Sequence, residues 1–402
     1  MRPSNTQHPV IMWLSIKLAY RNLIGAGLRT WLNVLVLSFS FVVIIWLNAV
    51  MTGWDHQAKT DMTNYEIGGG QYWHEAYDPF DPLSLYDSHS PIPEAVRAEI
   101  QAGDMEPMLF LQGHIFPQGR MMPAIIKGIN PDQSIFKLPA MSLDTVTDAI
   151  PAFIGGMMAS SSRLEVGDRT TIRWRDANGT FDAAEIIITA IFHSNVPSAE
   201  AAQVYIPLDK LWEISLLEGE ATVLTFGDSE AERAEIPGWT LKPKKLLTKA
   251  VDDMIKTKNA GQMVLYGILL LLAMLAIFDT QVLSIFRRQK EIGTYIALGY
   301  TRKEVVGLFT VEGTMHAVLA AVVSAAYGLP LLAWQARVGW TMPLDASQFG
   351  MAMAQTLYPV YSVGLVISTV LILTVTTAIV SYVPSRKIAK MSPTEALRGK
   401  LQ

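Results

Sequence analysis

Four predominantly apolar runs, 31–51, 263–286, 305–332 and 360–383, punctuate the sequence. Each reaches the roughly 20 residues that a helix needs to cross a bilayer. Hydrocarbon offers a backbone no hydrogen-bond partner, so each run is expected as a transmembrane helix and not as a strand or loop. The first run is long and lacks a small-residue cleavage site, which predicts a retained helix and not a cleaved signal. With half of its positions hydrophobic, 17% charged and a mean hydropathy of +0.26, the chain is divided between bilayer and water. The predicted class is therefore membrane α-helical, with four transmembrane helices and a large α+β extracytoplasmic domain at 52–262, between helices one and two.

Lysine and arginine set the orientation. The segments 1–30, 287–304 and 384–402 carry 14 basic residues against the acids Glu291, Glu304 and Glu395, which places all three in the cytoplasm. Residues 52–262 hold 17 basic and 30 acidic residues and belong outside, with a short second outer loop at 333–359. The absence of cysteine excludes disulfides and thiolate metal sites.

Taken in order, 11–30 interleaves Met12, Trp13, Ile16 and Leu23 with Lys17, Arg21 and Arg29, which suits an amphipathic helix on the inner membrane surface. Residues 65–82 are rich in glycine, aromatics and acids and read as an extended strand leaving the membrane. Within them Gly68-Gly69-Gly70 lacks the Lys-Ser/Thr of a phosphate loop, and Asp78 stands where HExxH would need its second histidine. A helix is expected over 93–102, strands over 107–116 and 122–129, a helix over 155–164, a hairpin of 170–174 and 184–192 turning at Asn178-Gly179, and a strand then a helix over 203–217. The six lysines of 242–258 suit a solvated helix running into helix two.

Ionisable groups at membrane depth are costly and usually face a bundle interior or water. Asp279, Glu312 and His316 are the transmembrane polar candidates; the plainer reading is a structural contact near the cytoplasmic boundary. Gly313, Ala317, Ala321 and Ala325 recur every four residues, as do Ala320, Ser324 and Gly328, a spacing that permits close helix packing within the bundle and across a dimer. No catalytic or metal site is expected: GxxxxGK[ST], GxSxG and HExxH are all missing.

The stretch 287–313, RRQKEIGTYIALGYTRKEVVGLFTVEG, breaks two apolar segments with two short helical patterns. Gly299 stands where a left-handed residue would end the first, and Thr301 to Glu304 form a capping box that starts the second. The basic pair Arg287-Arg288, then Glu291-Ile292-Gly293, Ala297-Leu298-Gly299, Thr301-Arg302 and Glu312-Gly313, resembles the intracellular loop of ABC-transporter permeases of the FtsX/MacB/LolCE superfamily. The resemblance extends to both ends of the chain, through Ala19-Tyr20-Arg21-Asn22-Leu23 and through Pro384-Ser385-Arg386 with the 392–398 segment, and is most like the LolC/LolE-type lipoprotein-releasing permeases. It also likens 52–262 to a MacB-like periplasmic domain, a porter-like part carrying a β-rich sabre-like insert at about 155–230.

The resemblance implies a non-catalytic permease subunit in a bacterial inner membrane, working with a separate ABC ATPase that binds ATP and Mg. It assigns ATPase coupling to Arg288, Glu291, Ile292, Ile296, Leu298, Gly299, Thr301 and Arg302, with the alternative that some of them, the isoleucines above all, merely hold the elbow together. Implied partners are a second permease copy or paralogue, membrane lipid, and a periplasmic lipoprotein chaperone or adaptor, with no nucleic acid. Lipoprotein or other amphiphile release is the leading function. A MacB-like mechanotransmission or efflux role and an FtsX-like control of cell-wall hydrolases are the alternatives.

Overall fold

The computed structural model describes residues 28–145, 148–228, 233–341 and 356–390. Most of the expected 11–30 surface helix, most of the second outer loop and the 392–398 segment lie outside the described residues. The chain divides into two units, a helical one (1–54, 255–340 and 358–402) and a sheet unit (55–254 and 341–357).

Helix α1 (Leu28–Met62) continues beyond the apolar run that predicts it. Its last part is polar, and the Lys59–Asp55 pair at 2.8 Å, one turn apart, supports it. The helix loosens into a π-turn at Thr63–Ile67 and stops at Gly68, whose φ of +55° favours glycine. A side chain at Gly69 would press on the backbone of Gly227. The triple glycine is thus a helix stop and not only part of a strand: only Gly70–His74, strand β1, is extended.

Strands β2 (Met105–Ile115), β3 (Met122–Ile129), β4 (Ile150–Gly155), β5 (Arg169–Arg175), β6 (Phe181–Phe192), β7 (Gln203–Pro207), β8 (Val223–Phe226) and β9 (Trp239–Pro243) complete the sheet. Among the described residues nine strands run in the order β9-β1-β8-β2-β3-β7-β4-β6-β5, and β5 also pairs with β2. That last pairing, Gly113 opposite Trp174, closes six strands into a barrel and removes two edges. Glycine is needed at 113 because a Cβ there would meet the Arg173 carbonyl. The β-rich stretch near 155–230 supplies β5, β6, β7 and β8 to this same sheet.

Strand β5 alternates exposed and buried residues along its length, as one wet and one dry face require. One core gathers Leu109, Ile126, Ile154, Ile172, Trp174, Ile188 and Val204, covered by α3 (Gly156–Ser162) and α4 (Leu208–Ser215). A second, aromatic core packs Phe110, Phe136, Phe153, Phe192 and Tyr205, with Phe153 stacked on Tyr205 at 4.7 Å. Helix α2 (Arg97–Ala102) occupies the expected 93–102 region.

Two buried titratable groups mark this unit. Glu106 on β2 accepts from Asn130 N at 2.8 Å and Nδ2 at 3.1 Å, and burial pushes its carboxyl up to about 7. Lys127 on β3 has its ammonium 4.6 Å from the Phe110 ring centre, and burial lowers it to about 8.

The expected lysine-rich helix opens differently: β9 and a helical turn at Lys244–Leu247 precede α5 (Lys249–Arg287). Helices α6 (Gln289–Ala297), α7 (Arg302–Val338) and α8 (Val363–Ser385) follow. Among the described residues four helices are long and apolar enough to cross a membrane, at Trp31–Ile67, Ala260–Arg287, Arg302–Val338 and Val363–Ile388.

In the helical unit Val34, Leu37, Phe41, Ile44, Ala273, Ile277, Ala317, Ala320 and Leu373 form the core. Polar side chains join helices as well: Asn33 Nδ2 donates to Thr280 Oγ1, and Gln262 Nε2 donates to Leu47 O at 3.0 Å.

Candidate functional site

The polar stretch after α5 is short, yet it builds a packed elbow. Helix α6 places Ile292 inward at 0% exposure, where it joins Ile285, Val305, Val306, Phe309 and Ile388. Tyr295, Ile296 and Tyr300 pack partly against this core, and the Tyr295 and Tyr300 rings meet edge to face at 5.8 Å. The core draws on both arms of the elbow and on the segment after α8. Ile292 therefore fills the elbow itself, the alternative role open to it from sequence.

Arg288 immediately precedes α6 and binds across the elbow. Its Nη1 donates to both carboxylate oxygens of Glu312, at 2.8 and 2.9 Å, and its Nε donates to Glu291 at 2.7 Å. The guanidinium also lies 5.0 Å over the Phe309 ring. Burial works to lower the Arg288 pKa, but the Glu312 charge and the bonds to both glutamates carry it above the ordinary arginine value. Glu312, three turns into α7, is thereby tied to Arg288, and Glu291 keeps about half of its side chain exposed.

The bend itself follows the sequence pattern. Gly299 has φ of +97° and donates its N–H to Ile296 O at 3.1 Å. Thr301 Oγ1 accepts from Glu304 N at 3.3 Å, while Glu304 Oε2 accepts from Thr301 N at 2.8 Å, a complete capping box at the start of α7. Immediately before Gly299, Leu298 stands 73% exposed, and Thr301, Arg302 and Lys303 are exposed after the bend. The elbow thus presents an apolar side chain beside cations on a backbone that capping holds in place.

The other candidates separate. His316 is buried and its Nδ1 donates to Glu312 O at 3.1 Å. Asp279 is exposed, with no ion pair among the described residues. Gly313 is buried where a Cβ would collide with Ser381 and Gln281, and Ala317 is fully buried, but Ala321 is half-buried and Ala325 exposed. A single step of three residues, from Ala317 to Ala320, carries the buried line onto the second row. The buried line instead passes through Ala320, Ser324 and Gly328, with Gly328 against Val42 of α1.

Sequence reasoning did not pair Arg288 with Glu312. They are 24 positions apart, outside any helical spacing rule, and only the antiparallel return of α7 joins them. Nor did it find Gln281 and Ser381 as the surface that receives Gly313, although polar residues inside apolar runs were the available signal.

No curated protein matches the chain in a sequence comparison. Residues 263–393 match the family model described as FtsX-like permease C-terminal, a segment that contains the whole elbow. That match supports placing the chain with the FtsX/MacB/LolCE superfamily of permeases, and with it the general role of an ABC-transporter permease subunit.

Proposed function

We propose that this chain is the permease subunit of an ABC transporter in a bacterial inner membrane, and that it uses hydrolysis by a separate ATPase to release lipoproteins or another amphiphile from that membrane. The observation that carries the reading is the elbow. Its core and its Arg288–Glu312 clamp make it stiff, while Leu298 stands exposed at its surface. A stiff element transmits displacement that a flexible loop would absorb.

In this reading Leu298 enters an apolar groove on the ATPase, Glu291 and Arg302 meet charges beside it, and Gly299 and Thr301 fix the bend. ATP and Mg belong to the ATPase. The sheet unit is the periplasmic domain, which moves in response and hands the cargo to a chaperone or adaptor. Helices α5 and α8 expose apolar side chains such as Leu271, Leu275, Ile372 and Ile379, which supports contact with lipid and with a second permease copy or paralogue.

The test is gentle extraction of the chain into nanodiscs, followed by mass spectrometry of what accompanies it. An ATPase together with a triacylated lipoprotein is expected. An ATPase with a periplasmic adaptor and no lipoprotein would overturn the cargo assignment.

A further inference from the structure

Residues 78–86, DPFDPLSLY, form a loop of the sheet unit that holds two large apolar side chains in solvent. Phe80 is 93% exposed and Leu83 64%, whereas Leu85 is buried with Met108 and Phe110 and anchors the loop. Tyr86 is exposed as well, but its ring already carries the Arg175 guanidinium at 5.5 Å.

The loop is built to keep this shape. Successive turns are closed by Asp81 N donating to Asp78 O at 3.1 Å, Ser84 N to Asp81 O at 3.0 Å and Asp87 N to Ser84 O at 3.2 Å. Asp78 Oδ1 accepts from Phe80 N and Asp81 Oδ1 from Leu83 N, both at 2.9 Å, and Ser84 Oγ donates to Asp81 O at 2.7 Å. Pro79 and Pro82 fix one backbone angle each. A lone apolar side chain is ordinary on a surface. Here a nearly bare phenyl ring and a leucine stand on a backbone that is already ordered, which lowers the entropy lost when a partner closes over them.

Charge selects the kind of partner. Glu75, Asp78, Asp81 and Asp87 are all exposed, none pairs with a cation among the described residues, and no lysine or arginine occurs from 75 to 96. Anionic headgroups repel such carboxylates and hydrocarbon leaves them unsolvated, so a lipid surface does not fit. A second copy meeting the first through this loop would set the same carboxylates against each other. We propose that the 78–86 loop docks a separate, soluble protein that offers Phe80 and Leu83 an apolar pocket rimmed by lysine or arginine. This assignment stands independently of the transport reading, because it uses no residue of the elbow.

A photo-crosslinking amino acid at position 80, with position 181 as the control, tests it in cells that carry the full chain. Phe181 is likewise an exposed ring, but the Arg173 guanidinium lies 4.3 Å over it. Position 80 is expected to capture a soluble protein that position 181 does not, and that protein, once purified, is expected to bind the chain in nanodiscs. Phe80→Ala should weaken this binding at least about tenfold, mainly through faster dissociation, as the loss of a central anchor implies. Asp78→Asn combined with Asp81→Asn keeps each side-chain carbonyl as the acceptor of its turn and removes the charge, so it should slow association and flatten the fall of affinity with added salt. All three side chains are exposed, so neither variant threatens folding. Capture of a second copy, of phospholipid or of nothing at position 80 overturns the proposal, as does a captured protein whose affinity is indifferent to Phe80→Ala or to salt.

Discussion

Arg288 and Glu312 stand on the two arms of the elbow and meet through both carboxylate oxygens, at 2.8 and 2.9 Å. The Arg288 side chain keeps 20% of its surface exposed and that of Glu312 12%. Removing one partner strands the other charge in a poorly solvated place. A fully buried pair broken in this way costs about 3–5 kcal/mol, and solvent access brings the expectation here to about 2 kcal/mol. Arg288→Ala and Glu312→Gln should each lower the thermal stability of the purified chain, and the double variant should lose less than the sum. Additive losses in a double-mutant cycle would show that the pair does not act as a clamp.

Gly299→Val tests the bend without touching any neighbour, since nothing lies within 4 Å of a Cβ placed there. The cost is conformational alone, about 1–2 kcal/mol for a side chain in the left-handed region, and more for a β-branched one. Membrane insertion is expected to be normal while the partner ATPase hydrolyses ATP without cargo release. Measured release at the parental rate would remove Gly299 from the coupling role.

Gly313 and Ala325 lie on the same sequence row and should behave oppositely. A methyl at 313 meets Ser381 and Gln281, and overpacking of this kind costs about 1–3 kcal/mol. Gly313→Ala should lower the melting temperature of the chain in detergent. Ala325→Val, on an exposed face, should leave it unchanged. If Ala325→Val abolishes association with a second copy in a native-gel assay, the face is assigned to the dimer.

Glu106 gives the sheet unit a pH dependence. Its folded pKa, about 7, lies above the ordinary value of 4.5, so the folded state binds the proton more readily. The stability it contributes is full below about 4.5 and is lost as pH rises through about 7. Glu106→Gln should match the parent near pH 4.5 and exceed it at pH 8 by an amount on the order of 3 kcal/mol, read from denaturation curves across that range. Lys127 acts in the other direction. Its contribution is present above its ordinary 10.5 and lost as pH falls through about 8, so Lys127→Met should stabilise at pH 7 and not at pH 11.

The sequence was legible wherever the physics is local. Four membrane-length helices follow from hydropathy, and the capping box at Thr301 and the positive φ of Gly299 follow from residue type. Strand β3 has the expected bounds, and Gly179 has the left-handed φ expected at the hairpin turn. What stayed hidden depends on contacts between distant residues. The closure of β5 on β2, the burial of Ile292 against Ile388 and the Arg288–Glu312 clamp all join segments that no periodicity links. Strands β4 and β8 escaped notice for a related reason. They are short and buried along nearly their whole length, so they lack the alternation that marks a half-exposed strand.

The elbow as the ATPase dock is tested most directly by a photo-crosslinking amino acid at position 298, with position 325 as the control, activated in native membranes. The account predicts that position 298 captures an ATP-binding subunit, identified by its P-loop peptides, and that position 325 does not. Capture of that subunit from position 325 and not from 298, or from neither, would contradict it.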